Sequence, residues 1–291
     1  MQLHQIYTPK TAAPFASSET YMEFAPCEAL KPYIKCFWGS RLPYRQLRTE
    51  QPAEAVITPD TCVDIIFHVN FTDNCIEGHF CGVDDRPFVS YASGEEKLLS
   101  IFAIRFYVWS AVLFSEDTMK GTRNKAFELD CHFAGLKKTL EPRLFDCVRI
   151  EDRILAAERY LLEHFHLERQ NRLVMEGLEQ IMLHRGNLEI GQLSKEVHTS
   201  SRQLERLFLE NMGISPKRLS SLVRYQYLWN DILFQPDFQV TEAVHRYGYV
   251  DQAHLLHDFK RFHNMNITGA KAYAGKDLEK YRLPDNNIGA V

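Results

Sequence analysis

The chain has 291 residues, enough for two hydrophobic cores of ordinary size. Apolar residues make up 45% and charged residues 25%, with a formal net charge of −4 at pH 7, a composition typical of globular proteins that fold in water. The sequence has no apolar run long enough to cross a bilayer and does not begin with a basic segment followed by an apolar one. We therefore expect a cytoplasmic location and no membrane association.

The cysteines are odd in number and all lie in the first half of the chain: Cys27, Cys36, Cys62, Cys75, Cys81, Cys131 and Cys147. Because none has CxxC spacing and the cytosol is reducing, we predict free, mostly buried thiols. A redox switch that uses two of them is the alternative, and it requires an exposed thiol of lowered pKa. Four side chains are of types that bind zinc: His68, Cys75, His79 and Cys81. Their spacing matches no common zinc site, so we predict neither a metal nor another cofactor.

The first part of the chain is predicted to be rich in β-strands. Residues 1–20 have little periodicity and are interpreted as an arm or a first strand. Short runs of aromatic and β-branched residues follow, among them Tyr33–Trp38, Cys62–Val69 and Leu99–Phe106. Short strands must cover each other's apolar faces, which favours a barrel or a sandwich. From about Ala126 the period becomes helical, so the predicted fold class is α+β: a β-rich, barrel-like N-terminal domain followed by an all-α C-terminal domain.

Residues 150–165 have the period of an amphipathic helix that joins the two halves. Its apolar stripe consists of Ile154, Leu155, Tyr160, Leu161, Leu162 and Phe165. The stripe either packs on its own domain or forms the contact of a homodimer, and the pattern favours neither. The predicted organisation is a β-rich domain over residues 1–148, a connecting helix over 149–170, a helical domain over 171–275 and a tail over 276–291.

The helical domain contains a repeated unit of helix, tight turn and helix. Three pairs of residues match at an offset of 51: Leu204 with Leu255, Phe208 with Phe259, and Gly213 with Asn264. In each unit the leucine and the phenylalanine are one turn apart on an inward face, and glycine and asparagine both tolerate the left-handed conformation that ends a helix. The pattern therefore predicts two helix-turn-helix units, separated by a long helix near Pro216–Phe234.

The first unit has a short helix over Ile190–His198, a turn and N-cap at Thr199–Ser200, and a second helix over Ser201–Met212. The residues predicted to be buried are Leu204, Leu207 and Phe208. The opposite face presents Ser201, Arg202, Glu205 and Arg206 near the N-terminal end of the second helix. Arginine binds guanine through two hydrogen bonds and glutamate accepts one from cytosine N4, so this face is suited to read bases in a major groove. The alternative for an isolated helix is a solvated face of Arg–Glu pairs.

The second unit has a short helix over Thr241–Tyr247, Gly248 in the turn and Asp251 as the N-cap of a helix that ends at Phe262. The residues predicted to be buried are Leu255, Phe259 and Phe262. The outward residues are Gln252, Ala253, Leu256 and His257, with Lys260 and Arg261 placed to meet phosphates. Glutamine can pair with adenine, whereas alanine and leucine offer only apolar contact to a thymine methyl group. This helix is therefore the weaker candidate for base reading.

These stretches resemble the AraC/XylS family of transcription regulators. GYVDQAHLLHDFKRF, residues 248–262, is similar to the most characteristic stretch of that family, and SSRQLERLFLENMGISP, residues 200–216, to its first recognition helix and the following turn. The resemblance covers residues 171–275 and implies seven helices, base reading by the outward residues of both units, and regulation at promoters, where RNA polymerase is a further partner. The sequence departs from the family at Leu256, His257 and Asn266–Ile267, which affects the base specificity of the second unit and not its fold.

The middle helix sets the spacing of the two units. At ~1.5 Å per residue, a helix of about 19 residues spans ~28 Å. Two recognition helices held that far apart could enter successive major grooves of double-stranded DNA, whose repeat is about 34 Å.

Two stretches of the first half, Ala25–Ser40 and Pro59–Phe67, resemble the N-terminal sensor domain of one branch of AraC-type regulators. We therefore expect a small-molecule effector in an apolar pocket. The candidate lining residues are Phe37, Trp38, Phe102, Phe106 and Trp109. Each of them alone is more typical of an ordinary core residue.

Other classes of function compete with a DNA-binding regulator. The sequence has no GxSxG, HExxH, P-loop or GxGxxG motif, so we predict that it is not an enzyme. A regulator without a ligand and a helical adaptor that binds protein through residues 171–275 are the remaining alternatives. Residue spacing does not determine the target sequence, the effector or the choice between activation and repression.

Overall fold

The computed structural model describes residues 2–15, 17–47, 54–91 and 95–275. The predicted tail, residues 276–291, lies outside the described residues. An antiparallel β-sheet domain precedes a helical region, which confirms the predicted fold class.

Most of the strands belong to one antiparallel sheet. The strands are β1 Met22–Phe24, β2 Ile34–Gly39, β3 Tyr44–Gln46, β4 Glu54–Ile57, β5 Cys62–Asn70, β6 Cys75–Cys81, β7 Phe88–Tyr91, β8 Lys97–Tyr107 and β9 Ala126–Glu128. Their order is β1-β2-β8-β5-β6-β9, with β3 also paired to β8, while β4 and β7 form a separate two-stranded sheet. The three predicted runs fall on β2, β5 and β8, which are neighbours at the centre of the sheet.

Side chains along β8 alternate between the two faces of the sheet, and one of these faces is buried. Phe102, Ile104 and Phe106 all point to this face and are buried, because side chains two residues apart share one side of a strand. The ring of Phe102 stacks on Phe37 and on Phe67, with centroids 6.2 and 6.3 Å apart. These rings form the centre of the N-terminal core.

One detail differs from the predictions for the first half. The helical pattern does not begin at Ala126, because Ala126–Glu128 forms β9 against β6, and the first long helix starts at Ala134. A segment of three residues is too short for its period to show in the sequence. Of the two interpretations of the first residues, an arm or a first strand, the structure shows an arm: Leu3–Ile6 is a single helical turn, and the described residues that follow pack on the helical region.

The helices are α1 Leu3–Ile6, α2 Ala134–Leu144, α3 Ile150–Glu163, α4 Arg172–Leu183, α5 Ile190–Glu196, α6 Ser201–Met212, α7 Pro216–Phe234, α8 Val240–Arg246, α9 Gln252–His263 and α10 Ile267–Gly275. Seven of them, α4 to α10, lie within residues 172–275, all of which are described; the resemblance implies the same number. The middle helix α7 has 19 residues and the predicted bounds. In the described residues, no helix is both long and apolar enough to span a membrane.

The connecting helix α3 is fixed to the sheet domain. The buried guanidinium of Arg153 donates to the Ser100 hydroxyl (2.7 Å) and to the carbonyls of Leu144 (2.8 Å) and Cys147 (2.7 Å). The predicted apolar stripe is divided between two faces: Ile154, Tyr160 and Leu161 are buried, whereas Leu155 and Leu162 are 62% and 51% exposed. A homodimer through the exposed pair stays a prediction.

The sheet domain and the helical region share a continuous core. Asp85, in the loop before β7, accepts from Arg123 (2.7 Å) and from Arg218 at the start of α7 (2.6 Å). Near the middle of α7, the Gln226 side chain bonds both the amide and the carbonyl of Lys10 in the N-terminal arm. The domain boundaries given above stay predictions.

Candidate nucleic-acid interface

The two helix-turn-helix units have the same helix lengths but different turns. The helices α5 and α8 have seven residues each and correspond at an offset of 50, whereas α6 and α9 have twelve each and correspond at an offset of 51. The left-handed residues His198 (φ 53°) and Gly248 (φ 63°) match at the first offset, and the N-caps Ser200 and Asp251 match at the second. The second turn therefore contains one additional residue, Val250.

Both recognition helices have the predicted capping residues at their two ends. The Ser200 hydroxyl accepts from the Gln203 amide at 3.1 Å, and the Asp251 carboxylate accepts from the His254 amide at 2.7 Å. At the C-terminal ends, Gly213 and Asn264 are left-handed, with φ of 72° and 59°. All six residues predicted to be buried on α6 and α9 are buried.

Gly213 also has a packing role that the sequence did not reveal. A Cβ there would lie 2.5 Å from the Thr122 hydroxyl and 2.6 Å from the Met119 carbonyl oxygen. The Met119 amide donates to the Glu210 carbonyl at 2.8 Å. The C-terminal end of α6 is therefore in direct contact with a loop of the sheet domain.

The outward face of α6 is charged and solvent-exposed. It presents Ser201, Arg202, Glu205 and Arg206, the four residues predicted from the sequence. Among the described residues, Arg202 and Glu205 make no ion pair, so both side chains are available to an external partner. Arg206 is held by the Glu210 carboxylate at 2.9 and 3.0 Å, and the Ser201 hydroxyl lies 3.0 Å from that of Ser194.

The outward face of α9 is largely uncharged. It presents Gln252, Ala253, Leu256, His257, Lys260 and Arg261, and all six predicted residues are exposed. Leu256 is 43% exposed, and Val250, which sequence reasoning missed, is 83% exposed immediately before the helix. Arg261 contacts the Asp258 carboxylate at 2.8 Å. Val250 could have been found from the sequence by aligning α5 with α8 as well as α6 with α9, because the two offsets differ by one residue.

The second unit has polar groups in its interior. Asp258 is buried and accepts from the Tyr249 hydroxyl (3.1 Å) and from Arg224 of α7 (3.4 Å). His263 is fully buried, shares a hydrogen bond of 2.9 Å with the Tyr225 hydroxyl, and has a pKa lowered to about 4 by burial. In the first unit, the matching positions at an offset of 51 are Leu207 and Met212.

The five residues predicted to hold an effector do not all lie on one face of the sheet. Phe37, Phe102, Phe106 and Trp109 are buried in the core. Trp38 lies on the other face of the sheet, where its indole N–H donates to Asp64 at 2.8 Å. A cavity of about 720 Å³ lies elsewhere, between α2, α3 and the loop after β8, and none of these five residues lines it.

Three of the cysteines are unsuited to redox sensing. Burial raises the pKa of Cys36 and of Cys81 to about 12 and also raises the pKa of Cys62. A thiol whose pKa is raised forms little thiolate, which is the reactive species. Over the described ranges, no group of three or more His, Cys, Asp or Glu side chains is placed to hold a metal ion.

Two helix-turn-helix units joined by one long helix define a DNA-binding protein. Residues 193–271 match a family described as "Helix-turn-helix domain", and residues 22–128 match a "Domain of unknown function (DUF6597)". Residues 193–271 thus form a helix-turn-helix domain behind an N-terminal sheet domain, and the protein is a DNA-binding transcription regulator.

Solved structures with some likeness to the chain include those of two regulators, one of them in two forms. An AraC-type transcriptional regulator from Chromobacterium violaceum is 18% identical, over 36% of this chain and 93% of that one, with a TM-score of 0.33. ToxT from Vibrio cholerae is 11% identical, over 80% of this chain and 98% of that one, with a TM-score of 0.42. Its unsaturated fatty acid-bound form is 9% identical, over 87% of this chain and 96% of that one, with a TM-score of 0.40. These values are too low to extend any ligand or DNA site to this chain. No curated protein matches the sequence.

Proposed function

We propose that the protein recognises a promoter sequence by placing α6 and α9 in successive major grooves of double-stranded DNA. The observation that carries this proposal is the matched exposure of two faces at the N-terminal halves of α6 and α9, while their opposite faces are buried. The 19 residues of α7 correspond to ~28 Å, close to the ~34 Å repeat of the grooves.

The first unit supplies charged base contacts. Arg202 is suited to guanine O6 and N7, and Glu205 to cytosine N4. Neither is engaged by another charge in the described part of the chain, so no ion pair has to be broken before they meet DNA. To bind a base or a phosphate, Arg206 must give up its ion pair with Glu210, which reduces its net contribution to the free energy of DNA binding.

The second unit supplies apolar contacts and phosphate contacts. Val250, Ala253 and Leu256 are exposed around the start of α9, where thymine methyl groups are suitable partners in a major groove. Gln252 and His257 add neutral hydrogen-bonding groups, and Lys260 and Arg261 are placed to meet phosphates. This unit is therefore suited to sites rich in A·T pairs.

The N-terminal domain is proposed to control this activity by sensing a small effector. Its contacts with the DNA-reading half support this role, because the Met119 amide bonds the end of α6 and Asp85 holds Arg218 at the start of α7. A change in the loop that carries Met119 would reach a recognition helix directly. Contact with RNA polymerase and formation of a homodimer are further proposals. Regulation without a ligand is the alternative.

The test is selection of a binding site from random DNA, followed by affinity measurements at fixed salt on Arg202→Ala. We expect the variant to bind its site ~10- to 100-fold more weakly, because it loses a contact worth about 1–3 kcal/mol. The matched control is Arg159→Ala, which removes an exposed arginine from α3. Equal effects of the two variants would reject the assigned face. Failure of the folded wild type to select any sequence would favour the protein adaptor.

A further inference from the structure

The cavity of about 720 Å³ is formed by segments that are far apart in the sequence. One wall is the loop Phe114–Glu116, another is the start of α2, and the third is the end of α3 with the following turn. Its lining residues are Phe114, Ser115, Glu116, Gly135, Lys138, Thr139, Tyr160, His164, His166 and Arg169. The volume lies within the range of small-molecule sites, ~300–1,000 Å³.

Hydrogen bonds hold these walls in place. The His166 amide donates to the Leu113 carbonyl at 3.0 Å, and the Gly135 amide donates to the Glu116 carboxylate at 2.7 Å. The Arg169 guanidinium donates to the carbonyls of Ser115 and Asp117. The cavity is thus a built feature in which each wall is tied to another.

The groups that remain available in the cavity suit an anion with a planar apolar part. The carboxylate of Glu116 is already bound at the start of α2, and Arg169 contributes a fixed positive charge. The exposed ammonium of Lys138 makes no ion pair within the described ranges. The rings of Tyr160 and His164 stack with centroids 4.0 Å apart, which leaves an aromatic surface beside these cations.

The same loop leads to the first recognition helix. Asp117, whose carbonyl accepts from Arg169 at 2.9 Å, is two residues before Met119. The Met119 amide bonds the Glu210 carbonyl, and its own carbonyl packs against Gly213 at the end of α6. A molecule that contacts Ser115 and Glu116 therefore lies one short segment away from a helix proposed to read DNA.

We propose that this cavity binds a small aromatic or cyclic organic anion, with Lys138 as its principal charge partner and the Tyr160–His164 surface as its apolar contact. Occupancy changes DNA affinity through the loop from Phe114 to Met119. The binding site stands on the cavity itself, whereas its effect on DNA rests on the proposed function above.

The test uses 1-anilinonaphthalene-8-sulfonate, an aromatic anion that becomes fluorescent when bound, with the full chain. N-phenyl-1-naphthylamine, which has the same rings without the sulfonate, is the uncharged control probe. We expect saturable binding of the anion at one site, weakened about tenfold by Lys138→Glu because the variant replaces attraction by repulsion. Binding of the uncharged probe is expected to change less than twofold.

Arg143→Glu is the matched charge reversal, since Arg143 is an exposed cation on the same helix that does not line the cavity. Absence of saturable anion binding, equal loss in both variants, or equal loss for both probes would each overturn the anion site. Adding the anion to a selected DNA site then tests the coupling: a shift in wild-type affinity that Lys138→Glu abolishes supports it, and no shift overturns it. A chain that binds the anion but selects no DNA would overturn the proposed function and leave the site standing.

Discussion

The two helix-turn-helix units of this chain share one fold but are stabilised and exposed in different ways. At four matched positions the first unit has Ser201, Arg202, Glu205 and Arg206, and the second has Gln252, Ala253, Leu256 and His257. Inside, Leu207 and Met212 of the first unit correspond to the buried Asp258 and His263 of the second. The fold therefore fixes which positions face inward and outward, while the chemistry at those positions varies between units.

The two units also differ in the contacts that hold them in place. The end of α6 contacts the sheet domain through Met119 and Gly213, so the first unit depends on the N-terminal half. The second unit is held by the buried carboxylate of Asp258, which contacts Arg224 of α7, Tyr249 and the exposed Arg261. We expect signals from the N-terminal domain to reach the first unit more directly than the second.

The largest expected effect comes from removing the polar interior of the second unit. Asp258→Leu, which introduces the residue type found at the matched position of the first unit, should lower the free energy of unfolding by about 2–3 kcal/mol, because Arg224 and Tyr249 lose a buried acceptor. Urea unfolding measures the change. Combining it with Arg224→Met should recover much of the loss; if the double variant is no more stable than the single one, the buried pair is not the reason.

A smaller effect, dependent on pH, is expected at His263. Its pKa is about 4 in the folded protein and about 6.5 when unfolded, so only the unfolded state gains this proton between those values. Stability from this group is complete above pH 6.5 and is lost as the pH falls towards 4, with a slope of at most about 1.4 kcal/mol per pH unit.

His263→Met, which introduces the residue type of the matched Met212 in the first unit, should remove that component. The measurement is the difference in unfolding free energy between wild type and variant at several pH values from 7 to 4, which should shrink or reverse as the pH falls. His257→Met, at an exposed position of the same helix, is the control. A difference that stays constant over this range would show that His263 is not the titrating group.

Several features of both units followed from the sequence. The bounds of α6 and α7, the N-caps Ser200 and Asp251, and the left-handed Gly213 and Asn264 were predictable because periodicity and capping are local. The extra residue Val250 was not, since the leucine and phenylalanine pairs fix only the alignment of α6 with α9. Residue type alone did not separate the aromatic rings of the N-terminal half: Phe37 and Phe102 are buried in the core, whereas Trp38 lies on the other face of the sheet. The cavity near Lys138 could not be predicted either, because its walls come from separate segments of the chain that share no sequence pattern.

The smallest expected effect tests the apolar face of the second unit. Replacing thymine by deoxyuridine in the half-site bound by α9 removes only the 5-methyl groups, so contacts with Val250, Ala253 or Leu256 should weaken by about 0.8 kcal/mol per methyl, roughly fourfold in affinity. Leu256→Asn should reduce this discrimination, and the same replacement in the half-site of α6 serves as the control, because Arg202 and Glu205 recognise polar base edges. Equal losses in the two half-sites would mean that the methyl groups act through DNA shape, and no loss in either would leave α9 a phosphate-binding helix positioned by Lys260 and Arg261.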